Sequence, residues 1–350
     1  MQKSKSFVVK SLSLVLAVVF MLALASCGKN GDESKITTKP ATTAAPTTLS
    51  PYVMNPLTGI ENLPRDKENT RPVAVMINNI KVAQDVQTGL NDADMVFETL
   101  VEGGITRLMA VYSNISKIGQ IGTVRSSRYS YAQLACGLDA RYVHCGSDNK
   151  YCTPLMRELG LDDLDLGGNA SSAAKRISNG HDWEHTLYTY GDKLNTLYKK
   201  GRTKIKDSAK NVYSFNSEKS PVKYETEAES FKVKFSDSYT TSFTYEDSSK
   251  KYIRGDRSGD ALVDYVTDKK ERFTNVLVLY TNVHYLSDNH HMKSELDSGS
   301  GTYYTNGTKV NIKWSKGDSS SPLKFTNEDG TALKLNAGNS YICITDTSNK

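Results

Sequence analysis

The hydrophobic pattern divides the chain before any single residue stands out. Leu14 to Ala25 is an unbroken apolar run, preceded by Lys3, Lys5 and Lys10 and closed by Ser26-Cys27. It is too short for the roughly 20 residues a membrane-crossing helix needs. A basic leader, a short apolar stretch and a small-residue exit instead read as a cleaved secretory signal over residues 1–26. From Gly28 to Ser50 large apolar residues almost vanish and Thr, Ala and Pro dominate. Such a composition cannot offset its ordering entropy, so residues 27–51 read as a disordered tether. As a flexible coil it reaches about 25–30 Å.

Beyond the tether, short apolar runs return. Val73 to Ile77, after Arg71-Pro72 and before Asn78-Asn79, predicts a buried central strand. Asp94 to Val101 and Ile105 to Tyr112 predict two more, joined at Gly103-Gly104. Ile118 to Val124 and Arg141 to Cys145 add short strands, with a helix over Tyr129 to Leu138 capped by Ser126 or Ser127. After residue 205 the pattern turns to alternation: Phe231 to Phe235, Ser242 to Tyr245, Lys251 to Arg254, Val310 to Trp314, Ala332 to Leu335 and Tyr341 to Ile344, with an apolar run at Val276 to Tyr280. Asn306-Gly307 and Asp329-Gly330 are hairpin turns, because a type I′ turn needs φ > 0 at both central residues. The reading is α+β: a mixed α/β N-terminal domain with a central sheet over 52–205, then a β-rich C-terminal domain over 206–350.

These elements carry the polar residues that matter. A two-residue loop at Gly103-Gly104 sets Leu100 opposite Arg107, with Glu98 and Glu102 one diagonal step away on the same face, about 7–8 Å distant. Arg107 then lies between two carboxylates, as a bracing ion pair or as the polar floor of a ligand cleft. Arg125, Ser126 and Arg128 stand at the mouth of the expected helix. Free N–H groups there favour an anion, and arginine matches phosphate or carboxylate with a two-pronged fork. The competing expectation pairs these arginines with Glu98 or Glu102. His144 ends a strand beside a glycine turn, where backbone can approach a ligand. His181 and His185 are spaced i, i+4, but the segment lacks the glutamate placement of H-E-x-x-H and supplies only two ligands. His290-His291 follows Asp288-Asn289 in a polar loop and reads as surface.

Charge and cysteine content narrow the classes. The net charge is +5, but the signal holds three lysines and no acid, so the remainder is +2. With no dense Lys/Arg block, nucleic acid is not an expected partner. Four cysteines follow Cys27, namely Cys136, Cys145, Cys152 and Cys343; none forms a zinc-type C-x-x-C pair, and a disulfide such as Cys145–Cys152 stays open. There is no phosphate loop, no complete metal set and no cofactor motif, so no cofactor is expected and no catalytic residue is assigned.

Leu24-Ala25-Ser26-Cys27 resembles the lipobox of bacterial lipoproteins, which makes Cys27 the lipidation site and the membrane a partner through its anchor. Asn55-Pro56-Leu57-Thr58-Gly59, Arg71 to Asn79, Ala93 to Glu98, Val101 to Arg107, Ile121 to Arg128, Tyr142-Val143-His144 and His185-Thr186-Leu187-Tyr188 together resemble the YerB-type lipoprotein family of Gram-positive bacteria. Gly299-Ser300-Gly301, Asn306-Gly307, Asp329-Gly330 and Leu335 to Gly338 resemble that family's second domain. The resemblance implies two domains of unknown function and supplies no reaction. The candidate ligand-binding set is therefore Arg107, Arg125, Ser126, Arg128, Glu98, Glu102, His144 and His185. The expected role is an extracytoplasmic, membrane-anchored binding or scaffold protein that meets an envelope protein or cell-wall component. The alternative is an enzyme or carrier acting on an anionic envelope substrate through the Arg/Glu/His cluster.

Overall fold

The run at Val73 forms the strand its pattern predicts, buried at all six positions of Val73–Asn78 (β1). The computed structural model describes residues 49–350, so the signal, Cys27 and the tether through residue 48 lie outside the described residues. Four further strands come from the first half of the chain: β2 (Met95–Leu100), β3 (Thr106–Tyr112), β4 (Arg141–His144) and β5 (Asp163–Asp165). The second half supplies β6 (Thr226–Glu227), β7 (Asn275–Thr281), β8 (Ser298–Thr305), β9 (Thr308–Ser315), β10 (Lys324–Asn327) and β11 (Ser340–Asp346). All belong to one eleven-stranded sheet, ordered β6-β9-β8-β7-β11-β2-β3-β1-β4-β5 with β10 on β9.

The halves meet at β11. Tyr341 pairs in parallel with Val96 of β2 on one side and with Val276 of β7 on the other. β1 runs parallel to β4 and antiparallel to β3. Side chains alternate between two faces along each strand, and both faces are covered. On one face Met76, Phe97, Met109 and Leu277 pack with Tyr131 and Leu134 of helix α1 (Tyr129–Gly137) and with Leu155 and Met156 of α2 (Cys152–Glu158). On the other, Val75, Leu108, Val276 and Tyr341 pack with Leu194 and Tyr198 of α3 (Gly191–Tyr198) and with a four-stranded sheet of residues 230–273 that contributes Val233, Phe243, Tyr252 and Phe273. Coverage on both sides explains why β1, β3 and β7 read as apolar runs rather than alternations. The fold is α+β with a β-rich second half.

One local expectation changes and two open readings close. The cap of α1 is Arg128, with no side-chain cap bond; Ser127 is occupied instead, its Oγ donating to the Tyr142 hydroxyl at 2.9 Å. His181 and His185 share no helix, since only Trp183–His185 makes a single 3-10 turn. Cys136, Cys145, Cys152 and Cys343 are all free thiols. The Asn306-Gly307 turn forms as read, with Thr305 facing Thr308 and φ of 52° and 74°. Among the described residues no helix is long and apolar enough to cross a membrane.

Candidate functional site

The β2–β3 connection decides which polar residues can meet. Leu100 pairs with Thr106 and Thr99 with Arg107. Gly103 and Gly104 both take positive φ, 72° and 70°, but in a three-residue loop over Glu102–Gly104 closed by Val101 N–H on the Ile105 carbonyl at 2.8 Å. The loop is longer than the expected two residues, so the register moves by one, and a one-residue slip sends a side chain to the other face. Glu98 and Arg107 therefore leave the sheet on opposite sides. Glu98 is fully buried, where its carboxylate accepts from Asn79 Nδ2 (2.9 Å), Thr106 Oγ1 (2.7 Å), Thr241 Oγ1 (3.0 Å) and the Tyr341 hydroxyl (2.7 Å). It bonds the two halves of the chain together and stands apart from the arginines.

Arg107 points to the other face, towards the segment that leads into α1. That segment is held by backbone bonds on both sides: Asn78 N–H donates to the Thr123 carbonyl (2.8 Å), Cys145 N–H to Arg125 (3.1 Å) and Ser127 N–H to Gly146 (2.9 Å). It thus lies at the C-terminal ends of the parallel strands β1 and β4, the end of an open sheet where ligands characteristically bind. Arg107 Nη1 donates to the Ser126 carbonyl at 2.7 Å. Its side chain is only 7% exposed, and among the described residues no carboxylate lies within 4.0 Å of it. Burial, with repulsion from Arg128 and Arg125 against the pull of Glu102, lowers this guanidinium to about 10.

The flanking arginines are each turned to one acid. Arg128 Nε donates to Glu102 Oε1, and its Nη1 to the Ser127 carbonyl at 2.8 Å. Arg125 Nη2 donates to Glu184 Oε2 at 3.0 Å, while its buried Nε has no partner. His185 accepts at Nδ1 from Asn78 Nδ2 (2.8 Å), and its Nε2 lies 3.5 Å from Glu184 Oε1. Burial, aided by Arg125, pushes this histidine below its ordinary value despite Glu184. The bond from Asn78 fits the neutral ring that this favours.

The structure thus brings together Arg107, Arg125, Ser126, Arg128, Glu102 and His185, and adds Asn78 and Glu184. It leaves out Glu98, as above, and His144. His144 is 1% exposed, with Nδ1 on the Gly146 carbonyl (2.9 Å), which fixes the turn after β4, and Nε2 on Asp163 Oδ2 (3.3 Å) of β5, so both ring nitrogens serve structure. One neighbour had no local signal. Residues 286–291, the tip of the hairpin Val283–Tyr285 and Met292–Ser294, bring His291 Nε2 to 3.8 Å from Glu102 Oε1. A groove of about 850 Å³ lined by Lys223, Tyr245, Lys251 and Asn306 shares none of these residues.

Comparison with known proteins agrees with this architecture. Residues 57–204 match the model described as "Protein of unknown function (DUF3048) N-terminal domain", and residues 231–342 match its C-terminal counterpart. The chain is 27% identical over 293 residues to "Putative lipoprotein YerB" of Bacillus subtilis, covering 83% of this chain and 85% of that protein. The crystal structure of the Bacillus subtilis YerB protein superposes with a TM-score of 0.71 at 24% identity, over 83% of this chain and 96% of that one, which shows a shared fold. Two matched domains in order, a curated relative across most of both chains and a common fold lead to one conclusion: the chain belongs to the YerB-type DUF3048 family, whose domains are of unknown function.

Proposed function

We propose that this protein is a lipid-anchored, extracytoplasmic binding protein of the cell envelope that takes a phosphate- or carboxylate-bearing group at Arg107, Arg125 and Arg128. The anchor rests on the lipobox-like sequence at Cys27 and on a relative named as a lipoprotein. The observation that carries the ligand class is Arg107. A guanidinium this deeply buried ordinarily has a carboxylate partner; this one has a single backbone carbonyl and two like-charged neighbours. An anion supplies the missing charge, and the guanidinium fork suits phosphate or carboxylate oxygens. Glu102 and Glu184 hold the flanking arginines in place and lower the net charge, which favours a small anionic group over a long polyanion.

The test is calorimetric titration of the full-length chain in detergent with inorganic phosphate, glycerol phosphate and acetate. Binding that weakens with added salt is expected. Arg107→Gln should weaken it about 10- to 100-fold, the loss of one charge-assisted contact of about 1.5–3 kcal/mol. Arg125→Gln, at a partly exposed position, is the second variant in case Arg107→Gln melts early. Unchanged affinity in a folded Arg125→Gln and a folded Arg107→Gln sinks the ligand reading. Cys27→Ala should move the protein from the membrane fraction to the soluble fraction, and retention in the membrane sinks the anchor.

A further inference from the structure

The hairpin tip that reaches Glu102 presents ring nitrogens that its own packing leaves unused. Asp288 organises this tip: Oδ1 accepts the backbone N–H groups of His290 (3.1 Å) and His291 (3.0 Å). Leu286 N–H closes the turn on the His291 carbonyl at 2.7 Å. The ring of Tyr151 packs edge-on against His291, with centroids 5.6 Å apart. Asp288 Oδ2 lies 2.7 Å from His291 Nδ1. An ionised carboxylate only accepts, so Nδ1 carries the proton, and in the neutral ring it is Nε2 that offers a lone pair to a metal. Nε2 lies 3.8 Å from Glu102 Oε1, the oxygen that Arg128 holds, which is too far for a hydrogen bond.

Glu102 also has an oxygen to spare. Arg128 grips it through Oε1 alone, because its Nη1 turns away to the Ser127 carbonyl. Among the described residues Oε2 takes part in no hydrogen bond. His290 is exposed and its ring nitrogens are likewise without a partner among the described residues. One ligand atom from each of Glu102, His290 and His291 comes within 4.8 Å of the others.

We propose that Glu102, His290 and His291 bind a transition-metal ion of the zinc class, with Asp288 as the outer carboxylate that orients His291. Two imidazole nitrogens and one carboxylate oxygen are a zinc-type set that leaves a further position open. Ligand atoms around a tetrahedral zinc stand about 3.3 Å apart, so closure requires shifts of up to about 1.5 Å; rotation of the exposed His290 ring supplies its part, and His291 and the Glu102 carboxylate approach each other by about 0.5 Å. The carboxylate–histidine–metal relay is the usual way a protein fixes the tautomer of a ligating histidine. Arg128 opposes the cation and holds Oε1, the oxygen nearer His291, so the metal takes the free Oε2 once the carboxylate turns. The donors come from two hairpin tips more than 180 residues apart in sequence, so a metal here would also clip the second half of the chain to the mouth of the arginine cluster.

The site is tested on the full-length chain in detergent, stripped with a chelator and titrated with zinc against a chromophoric competitor. One zinc per chain is expected. Asp288→Asn should weaken binding about 10- to 100-fold, and the double variant His290→Ala/His291→Ala should abolish it. Cobalt should give the visible absorption bands of a low-coordinate site, lost in the same double variant. His181→Ala, beyond the cluster, should leave the titration unchanged. Absence of stoichiometric zinc in the wild type overturns the proposal, as does full binding by the double variant with an unaltered melting temperature. Because phosphate binding is measured on the chelator-stripped chain, failure of the metal site and failure of the anion site are read separately.

Discussion

Arg254 and Arg107 show two solutions to burying a guanidinium. Arg254 is wholly buried, with Nη1 on Glu271 Oε2 at 2.6 Å, Nη2 on Asn79 Oδ1 at 2.6 Å and Glu271 itself 0% exposed. Breaking such a pair from one side leaves a buried charge and costs about 3–5 kcal/mol, whereas replacing both partners with apolar residues costs less. Glu271→Leu should therefore lower unfolding stability in urea by about that amount, and Arg254→Met/Glu271→Leu should recover part of it. Additive losses in the double variant contradict this account. Arg107 lacks such a partner, which is why the proposed anion site is centred on it. Sequence put Arg125 and Arg128 at the start of a helix, where the structure has them, but set Arg107 between two carboxylates it does not face. It misplaced Glu98, because one residue of loop length reverses the face. It read His290-His291 as surface, and gave no sign of Glu102, a neighbour far away in the chain, beside them.

At the scale of elements, the N-terminal end of β1 and the start of β4 are stapled by charge. Arg71 Nη1 meets Asp162 Oδ2 at 2.6 Å, Arg141 Nη2 meets Asp162 Oδ1 at 3.1 Å, and Arg71 Nε lies 3.6 Å from Asp139 Oδ1. Burial pushes both carboxyls up, and the arginines, Arg202 among them, more than offset it, so Asp139 and Asp162 lie below their ordinary values. A carboxyl lowered by folding stabilises above its unfolded value, about 3.9, and that stability is lost as pH falls through the folded value. The wild type should therefore lose melting temperature below about pH 4. Asp139→Asn and Asp162→Asn should melt lower at neutral pH and show a flatter acid limb; an acid limb as steep as the wild type's counts against the staple. The elements themselves were largely readable. β1, β7 and the Asn306-Gly307 hairpin follow from apolar runs and turn chemistry that need no distant partner. The β2–β3 loop was not, because two adjacent glycines at positive φ serve a two-residue hairpin turn and a three-residue loop equally well.

For the molecule as a whole, the sheet matters more than the division of the sequence. Family models describe two domains, yet β11 hydrogen-bonds to β2 from the first and to β7 from the second. Thr241 and Tyr341, from the second half, satisfy Glu98 of the first. Residues Ser50–Lys350 should accordingly unfold in one calorimetric transition, and residues 49–205 expressed alone should fail to give a folded, monomeric product. Two resolved transitions, or a stable N-terminal half, refute this coupling. Parallel pairing of strands distant in sequence leaves no local signature, since the connection carries no tight turn; the composition shift near residue 205 was visible and the shared sheet was not.

The place of β11 also orders events in time. During synthesis the strand that fills the gap between β2 and β7 is made after every other strand of the sheet, so the middle of the sheet stays open until residue 346 has emerged. Until then β2 has an unpaired edge and Glu98 lacks the Tyr341 hydroxyl. A growing chain with that gap cannot complete its fold early. It keeps an open edge at β2 that no strand made earlier in the chain fills.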